Sequence, residues 1–211
     1  MDALLAAALA YAERGFKVFP VHSTSAAGIC DCGRADCDSS GKHPRTEHGL
    51  KDASQDPETI RAWWARWPAA NVGLSTDGLF VIDIDPLDDG SANDWPGSDE
   101  LRGSLRRAPT SKTPRGGHHH VFAGPGRNSA SRLAPHVDSR GSGGYIVAPP
   151  SVVGGIAYVW EQEPSTVASL PSPPTWLDEA WVEARGTQRA MPSPGSPSPG
   201  VAGGNGQIPK G

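Results

Sequence analysis

The stretch GLFVIDIDP, residues 78 to 86, runs an apolar segment into two carboxylates one residue apart, Asp83 and Asp85. Side chains alternate across a strand, so Leu79, Val81, Asp83 and Asp85 share one face while Phe80, Ile82 and Ile84 share the other. Two carboxylates about 7 Å apart at the end of a buried strand repel each other and lose hydration unless a positive charge sits between them. A divalent cation would supply that charge. The alternative is that the strand simply ends and the acids cap the turn at Pro86.

A second group lies earlier in the chain. Cys30, Cys32, Cys37 and His43 fall in CDCGRADCDSSGKHP, which holds all 3 cysteines of the chain. Clustered this tightly they make a poor disulfide framework, whereas thiolates and an imidazole are the ligands Zn²⁺ prefers, and four of them close a tetrahedral structural site. His48 or His22 could replace His43 as fourth ligand, and three free loop cysteines are the plainer alternative. A metal would order a loop, about 28–48, that has little apolar surface to bury.

Two glycine-marked stretches complete the set. In TPRGGHHHVF, residues 113 to 122, a strand entered through Gly116 and Gly117 puts His119 and Val121 on one face and His118, His120 and Phe122 on the other. Glycines that let the backbone approach closely, with Arg115 and a histidine beside them, suit an anionic group such as a triphosphate. Three histidines in a row also suit a metal, or an exposed run. In VDSRGSGGYIVAPPS, residues 137 to 151, Asp138 stands alone among basic residues and is followed by Arg140 and a glycine-rich turn. A third carboxylate delivered by another strand, joined to Asp83 and Asp85, would hold two divalent ions, with phosphate oxygens and water completing their shells.

The elements that must position these residues follow from periodicity and punctuation. Asp2 caps a helix over 3–14 that Gly15 ends, and FKVFPV reads as a strand. Asp56-Pro57-Glu58 starts a helix whose Ile60, Trp63, Trp64 and Trp67 fall at helical spacing, a stripe better suited to a core than to base stacking. Strands are expected at 71–75, 79–85, 117–123, 144–149 and 156–161, the last two joined through Gly154-Gly155. Thr175 and Asp178 form a capping box for a final helix burying Trp176, Leu177, Trp181 and Val182. Strands in succession with helices before and after indicate an α+β domain.

The formal charge of the 211 residues is -4, which excludes a uniformly basic protein. Between Leu101 and Arg140, however, Arg102, Arg106, Arg107, Lys112, Arg115, Arg127, Arg132 and Arg140 face one acid, Asp138. That imbalance suits phosphate-rich ligands or a solvated surface. No apolar run approaches bilayer length and no basic leader precedes the first helix, so a cytoplasmic protein with no membrane contact is expected. A domain over 1–186 is expected to give way to a disordered linker, rich in Pro, Gly and Ser, over 187–211.

Taken in order, ALAYAERGFKVFPV, GKHPR, the WW helix leading to NVGLSTDGLFVIDIDP, TPRGGHHHVF and VDSRGSGGYIVAPPS resemble the bifunctional DNA primase/polymerase family, the prim-pol branch of the archaeo-eukaryotic primases. The likeness spans about residues 5 to 165. It implies a primase fold, in which an antiparallel module like an RNA-recognition motif packs with a smaller α/β lobe, here with a zinc-binding loop inserted. By similarity Asp83 and Asp85 are the first-motif metal acids for Mg²⁺ or Mn²⁺, His119 contacts the incoming nucleotide's phosphates, and Asp138 is the third-motif acid. His119 is the matching histidine because it lies three residues before the aromatic Phe122. The family often has serine before the glycine pair, where this chain has Arg115, whose guanidinium could substitute with charge. Arg115, Gly116, Gly117 and Arg140 are the candidate triphosphate contacts, and Lys42, with Arg45, is a candidate contact for the template or initiating nucleotide if the zinc loop lies against the cleft.

The implied activity is template-directed nucleotidyl transfer by a DNA primase/polymerase of a phage, plasmid or mobile element. Its partners would be a single-stranded DNA template, NTP or dNTP, and a helicase as a C-terminal domain or separate protein. Two rivals use the same residues: a metal-dependent nuclease or hydrolase combining the acids with His118 to His120, and a non-catalytic nucleic-acid-binding module retaining the zinc loop and basic stretch.

Overall fold

The computed structural model describes residues 3–181. Helix α1 (Ala3–Glu13) buries Ala8 and Tyr11. It ends in a Schellman motif: Phe16 N–H donates to Tyr11 O at 3.0 Å and Gly15 N–H to Ala12 O at 3.0 Å, with Gly15 at φ 93°. Strand β1 (Val18–Val21) follows, then an irregular stretch with one 3₁₀ turn at Gly49–Asp52. Helix α2 (Pro57–Arg66) starts where the Asp56 side chain accepts the Thr59 N–H at 2.9 Å. Ile60 and Trp64 are buried, and the Trp64 indole donates to Ala70 O at 3.0 Å, so the tryptophan stripe belongs to the core.

The remaining elements are β2 (Asn71–Ser75), β3 (Leu79–Ile84), α3 (Asp99–Leu105), β4 (Thr110–Lys112), β5 (His118–Ala123), β6 (Ser129–Ala134), β7 (Val137–Arg140), β8 (Tyr145–Ala148), β9 (Val152–Val153), β10 (Ile156–Ala157) and β11 (Val159–Gln162). They form an α+β fold with antiparallel sheets. A three-stranded sheet has the order β1-β2-β8, and a six-stranded sheet the order β11-β4-β5-β3-β7-β6. A further helical segment covers 176–181 and buries Leu177.

Alternation along β3 divides the core in two. Leu79 and Val81, with Val121 of β5, pack against Tyr11, Ile60, Trp64, Val72 and Ile146, so this face is covered by the two N-terminal helices and the smaller sheet. Phe80, Ile82 and Ile84, with Phe122, pack against Leu105, Ala108 and Leu177 under α3 and the last helical segment. In the smaller sheet Phe19 lies over Gly73, where a Cβ would come within 2.5 Å of the ring. Only glycine fits there.

Two expectations change. The strand expected at 156–161 breaks at Tyr158 into β10 and β11, which pair with β9 and β4 respectively. Gly154-Gly155 therefore turns β9 into β10 and does not link β8 to a strand beside it. Within the basic stretch lie α3, β4, β6 and β7, too short or too polar to announce themselves by periodicity. Val182, the domain end at 186 and the linker at 187–211 lie outside the described residues. Among those described, no helix is long and apolar enough to cross a membrane.

Burial on the α3 side makes the fold acid-sensitive through His120. Its imidazole is held at about 3 by burial first, then by neighbouring His118, His119 and Arg106. The unfolded chain takes up this proton near pH 6.5, so the contribution is complete above that value and is lost as pH falls toward 3. In urea unfolding, the wild type should lose about 1–2 kcal/mol more than His120→Gln between pH 7 and pH 5. Equal losses would remove burial of this ring as the cause.

Candidate active site

The central strand brings three of the expected residues into one row. In the antiparallel register Asp83 of β3 stands opposite His119 of β5 on one side and Asp138 of β7 on the other. Directly opposed residues share a face of the sheet. This is the face that carries Leu79 and Val81 into the core, so the polar row begins where apolar packing stops. Next to it opens a cleft of about 480 Å³ lined by Lys42, Asp83, Asp85, His119, Arg140 and Tyr158, among others.

Asp83 is the most perturbed acid of the cleft. Its Oδ1 is buried without a hydrogen-bond partner. Burial pushes its carboxyl up to about 7, and the Asp85 carboxylate adds to the rise, while Arg140 and Lys42 pull the other way. The His119 Nε2 lies 3.5 Å from that orphaned oxygen. This contact is no ion pair, because burial holds the His119 imidazole down to about 3 and leaves it neutral. A buried acid with an unsatisfied oxygen, next to a second acid, is the donor arrangement a hard divalent cation fits. The acid and histidine oxygens and nitrogens do not all come within 4.8 Å of one another, as those of the cysteine cluster do.

Local geometry holds the second acid in place. Asp85 follows the last residue of β3, and its N–H donates to His136 O at 2.9 Å. Gly117 passes so close that a Cβ there would lie 2.4 Å from Ile84 O and 3.2 Å from Asp85 Oδ1. The Gly117 N–H donates to the Thr113 hydroxyl at 3.1 Å, which closes the β4–β5 turn. On the opposite wall, Asn128 accepts the Gly141 N–H at 3.0 Å and Thr76 donates to Gly141 O at 2.6 Å, fixing the glycine-rich loop after Arg140.

The other expected residues divide. Arg140 lines the cleft and donates to Asp138 Oδ2 at 2.8 Å, while Asp138 Oδ1 accepts the Ser131 N–H at 2.9 Å. Asp138 thus meets Asp83 across the sheet but is not among the cleft-lining residues. Arg115 and Gly116 sit at the exposed tip of the β4–β5 turn, away from the lining. Arg45 is held by Asp31 and lies over the Trp67 ring at 5.3 Å. His118 and His120 project to the other face, with His118 Nε2 3.5 Å from Glu161. Tyr158, its ring centroid 5.9 Å from that of His119, was hidden in sequence because IAYVWE reads as one apolar strand.

The ligand atoms of Cys30, Cys32, Cys37 and His43 lie within 4.8 Å of one another, with Cys30 Sγ 3.4 Å from His43 Nε2. Burial raises the Cys30 thiol, whereas the Arg34 backbone N–H holds Cys32 down to about 6. His43 is the histidine of this foursome; His48 bonds Asp52 at 3.0 Å, and His22 bonds Asp31 at 2.6 Å. Three soft thiols and one imidazole match the donor set of a structural zinc site.

No curated protein matches the chain closely. The sequence model of the bifunctional DNA primase/polymerase N-terminal family, Prim-Pol, matches residues 8–176, a span that holds the whole polar row, the cleft and the cysteine cluster. On that match the chain belongs to the Prim-Pol family, a family of DNA primase/polymerase domains.

Proposed function

We propose that this domain is a nucleotidyltransferase that copies a single-stranded DNA template by two-metal chemistry, as part of the replication of a phage, plasmid or mobile element. The observation that carries the reading is the register of β3, which sets Asp83 between His119 and Asp138 with Asp85 one turn of the pleat further into the same cleft. Mg²⁺ or Mn²⁺ held by Asp83 and Asp85, with Asp138 as third acid, would lower the charge barrier for attack of a 3′-hydroxyl and departure of pyrophosphate.

The residues around the acids bind and orient. A neutral His119 offers an N–H to a phosphate oxygen without repelling the cations beside it. Arg140 brings a guanidinium to the same cleft, and Gly117 lets the start of β5 pack against Ile84 O and Asp85, which holds the second acid in place. Arg115 and Gly116, at the tip of the turn, extend this anion-binding edge outward; Arg45 belongs to the loop side, where nucleic acid would pass, and Lys42 stands between that side and the cleft. The cysteine cluster would hold structural Zn²⁺. A helicase, joined to the domain or separate, would supply the single strand.

A nuclease assembled from the acids and the triple histidine finds no common site, because His118 and His120 line a different cavity from Asp83 and Asp85. Positioning and charge neutralisation are what phosphoryl transfer requires of a protein, and this cleft is built from groups suited to both.

Asp83→Asn and Asp85→Asn should each lower primer extension about a hundredfold or more in Mg²⁺ or Mn²⁺, with circular dichroism unchanged. The Asp83 change should also raise the melting temperature of the metal-free protein above pH 7, since it removes a buried charge. Full extension by both variants defeats the assignment. Purified protein should carry one zinc per chain by atomic absorption, and Cys37→Ser should lose it. Wild-type protein free of zinc would leave the cysteine cluster without a role.

A further inference from the structure

Lys42 connects two sites that are otherwise separate. It precedes His43 of the cysteine cluster, and it lines the cleft with Asp83, His119 and Arg140. The loop meets the cleft wall at this point: the Tyr145 hydroxyl donates to Lys42 O at 2.9 Å, and Asn71 Nδ2 donates to Gly41 O at 3.1 Å. We propose that the cysteine loop is one wall of the triphosphate site, so that loading of its metal cluster and binding of a nucleoside triphosphate in the cleft are coupled through Lys42. The proposal rests on the nucleotidyltransferase reading of the cleft.

Charge balance assigns Lys42 to the triphosphate. Among the cations of the cleft, Arg140 is already paired with Asp138, whereas Lys42 forms no ion pair among the described residues. Its charge reaches the reacting end of the cleft, where it acts on both Asp83 and His119. A triphosphate brings several negative charges into this space, and the free ammonium is the group able to meet one of them by a charge-assisted hydrogen bond. The backbone around Lys42 is tied to the fold by hydrogen bonds, Lys42 N–H donating to Ser39 O and His22 N–H to His43 O, both at 3.0 Å, beside the Tyr145 and Asn71 contacts. The cluster adds a further anchor, since Cys30, Cys32 and Cys37 converge on the residue that follows Lys42.

Isothermal titration calorimetry with dATP and with inorganic tripolyphosphate, in Mg²⁺, reads this coupling without turnover. Lys42→Ala should keep its zinc by atomic absorption yet bind both probes about ten- to hundredfold more weakly, with Lys42→Arg restoring part of the loss. Cys37→Ser should lose zinc and fall to the Lys42→Ala affinity, and the double variant should fall no further. If Cys37→Ser does not fold, wild-type protein stripped by a zinc-selective chelator takes its place. Wild-type affinity in Lys42→Ala, or in zinc-free protein, overturns the proposal, as does a loss confined to single-stranded oligodeoxynucleotide binding. Primer extension by the wild type, run alongside, reports separately on the nucleotidyltransferase reading.

Discussion

A carboxylate on an inner strand of the larger sheet, one of its oxygens buried without a partner, governs the rest of this structure. Asp83 lies on the central strand of six, where its neighbours come from β5 and β7, and its inner oxygen has no donor to satisfy it. Such a group is unfavourable to folding when ionised and is retained where something outside the chain compensates it. Its surroundings follow from that constraint. The strand needs apolar faces on both sides to be central at all, and Leu79, Val81, Phe80 and Ile82 provide them. The polar end then needs cations and donors nearby, which Arg140, Lys42 and the neutral His119 bring.

The same logic explains how one run of three histidines serves two surroundings. Strand alternation sends His119 into the cleft and its neighbours to the α3 side, so adjacent identical residues answer to different environments. Both His119 and His120 are neutral because they are buried, and each has a hydroxyl neighbour, Ser111 at 3.4 Å and Thr110 at 3.0 Å, but His119 also faces an acid. Residue type alone does not determine their roles.

What sequence made legible was local. The pleat of GLFVIDIDP, the cap at Asp56, the stop at Gly15 and the cysteine spacing each depend on residues near one another in the chain, and each has its counterpart in the structure. Side-chain partnerships across the fold were not legible. Nothing in VDSRG tells that Asp138 will spend its oxygens on Ser131 and Arg140, or that Arg115 will stand at the tip of a turn away from the cleft. Tyr158 was masked by a strand pattern that the backbone breaks at that residue. The short elements α3, β4, β6 and β7 owe their existence to pairing and packing with distant segments more than to their own propensities.

The register of β3 has a consequence for how the domain comes into being. Asp83 meets His119 and Asp138 across ladders that join segments far apart in the chain, so the row cannot form by local closure. Contacts of this kind must meet the entropy of closing long loops. A nascent chain therefore carries Asp83 and Asp85 before His119 and Asp138 exist to stand beside them, and the row is complete only once β7 has paired with β3.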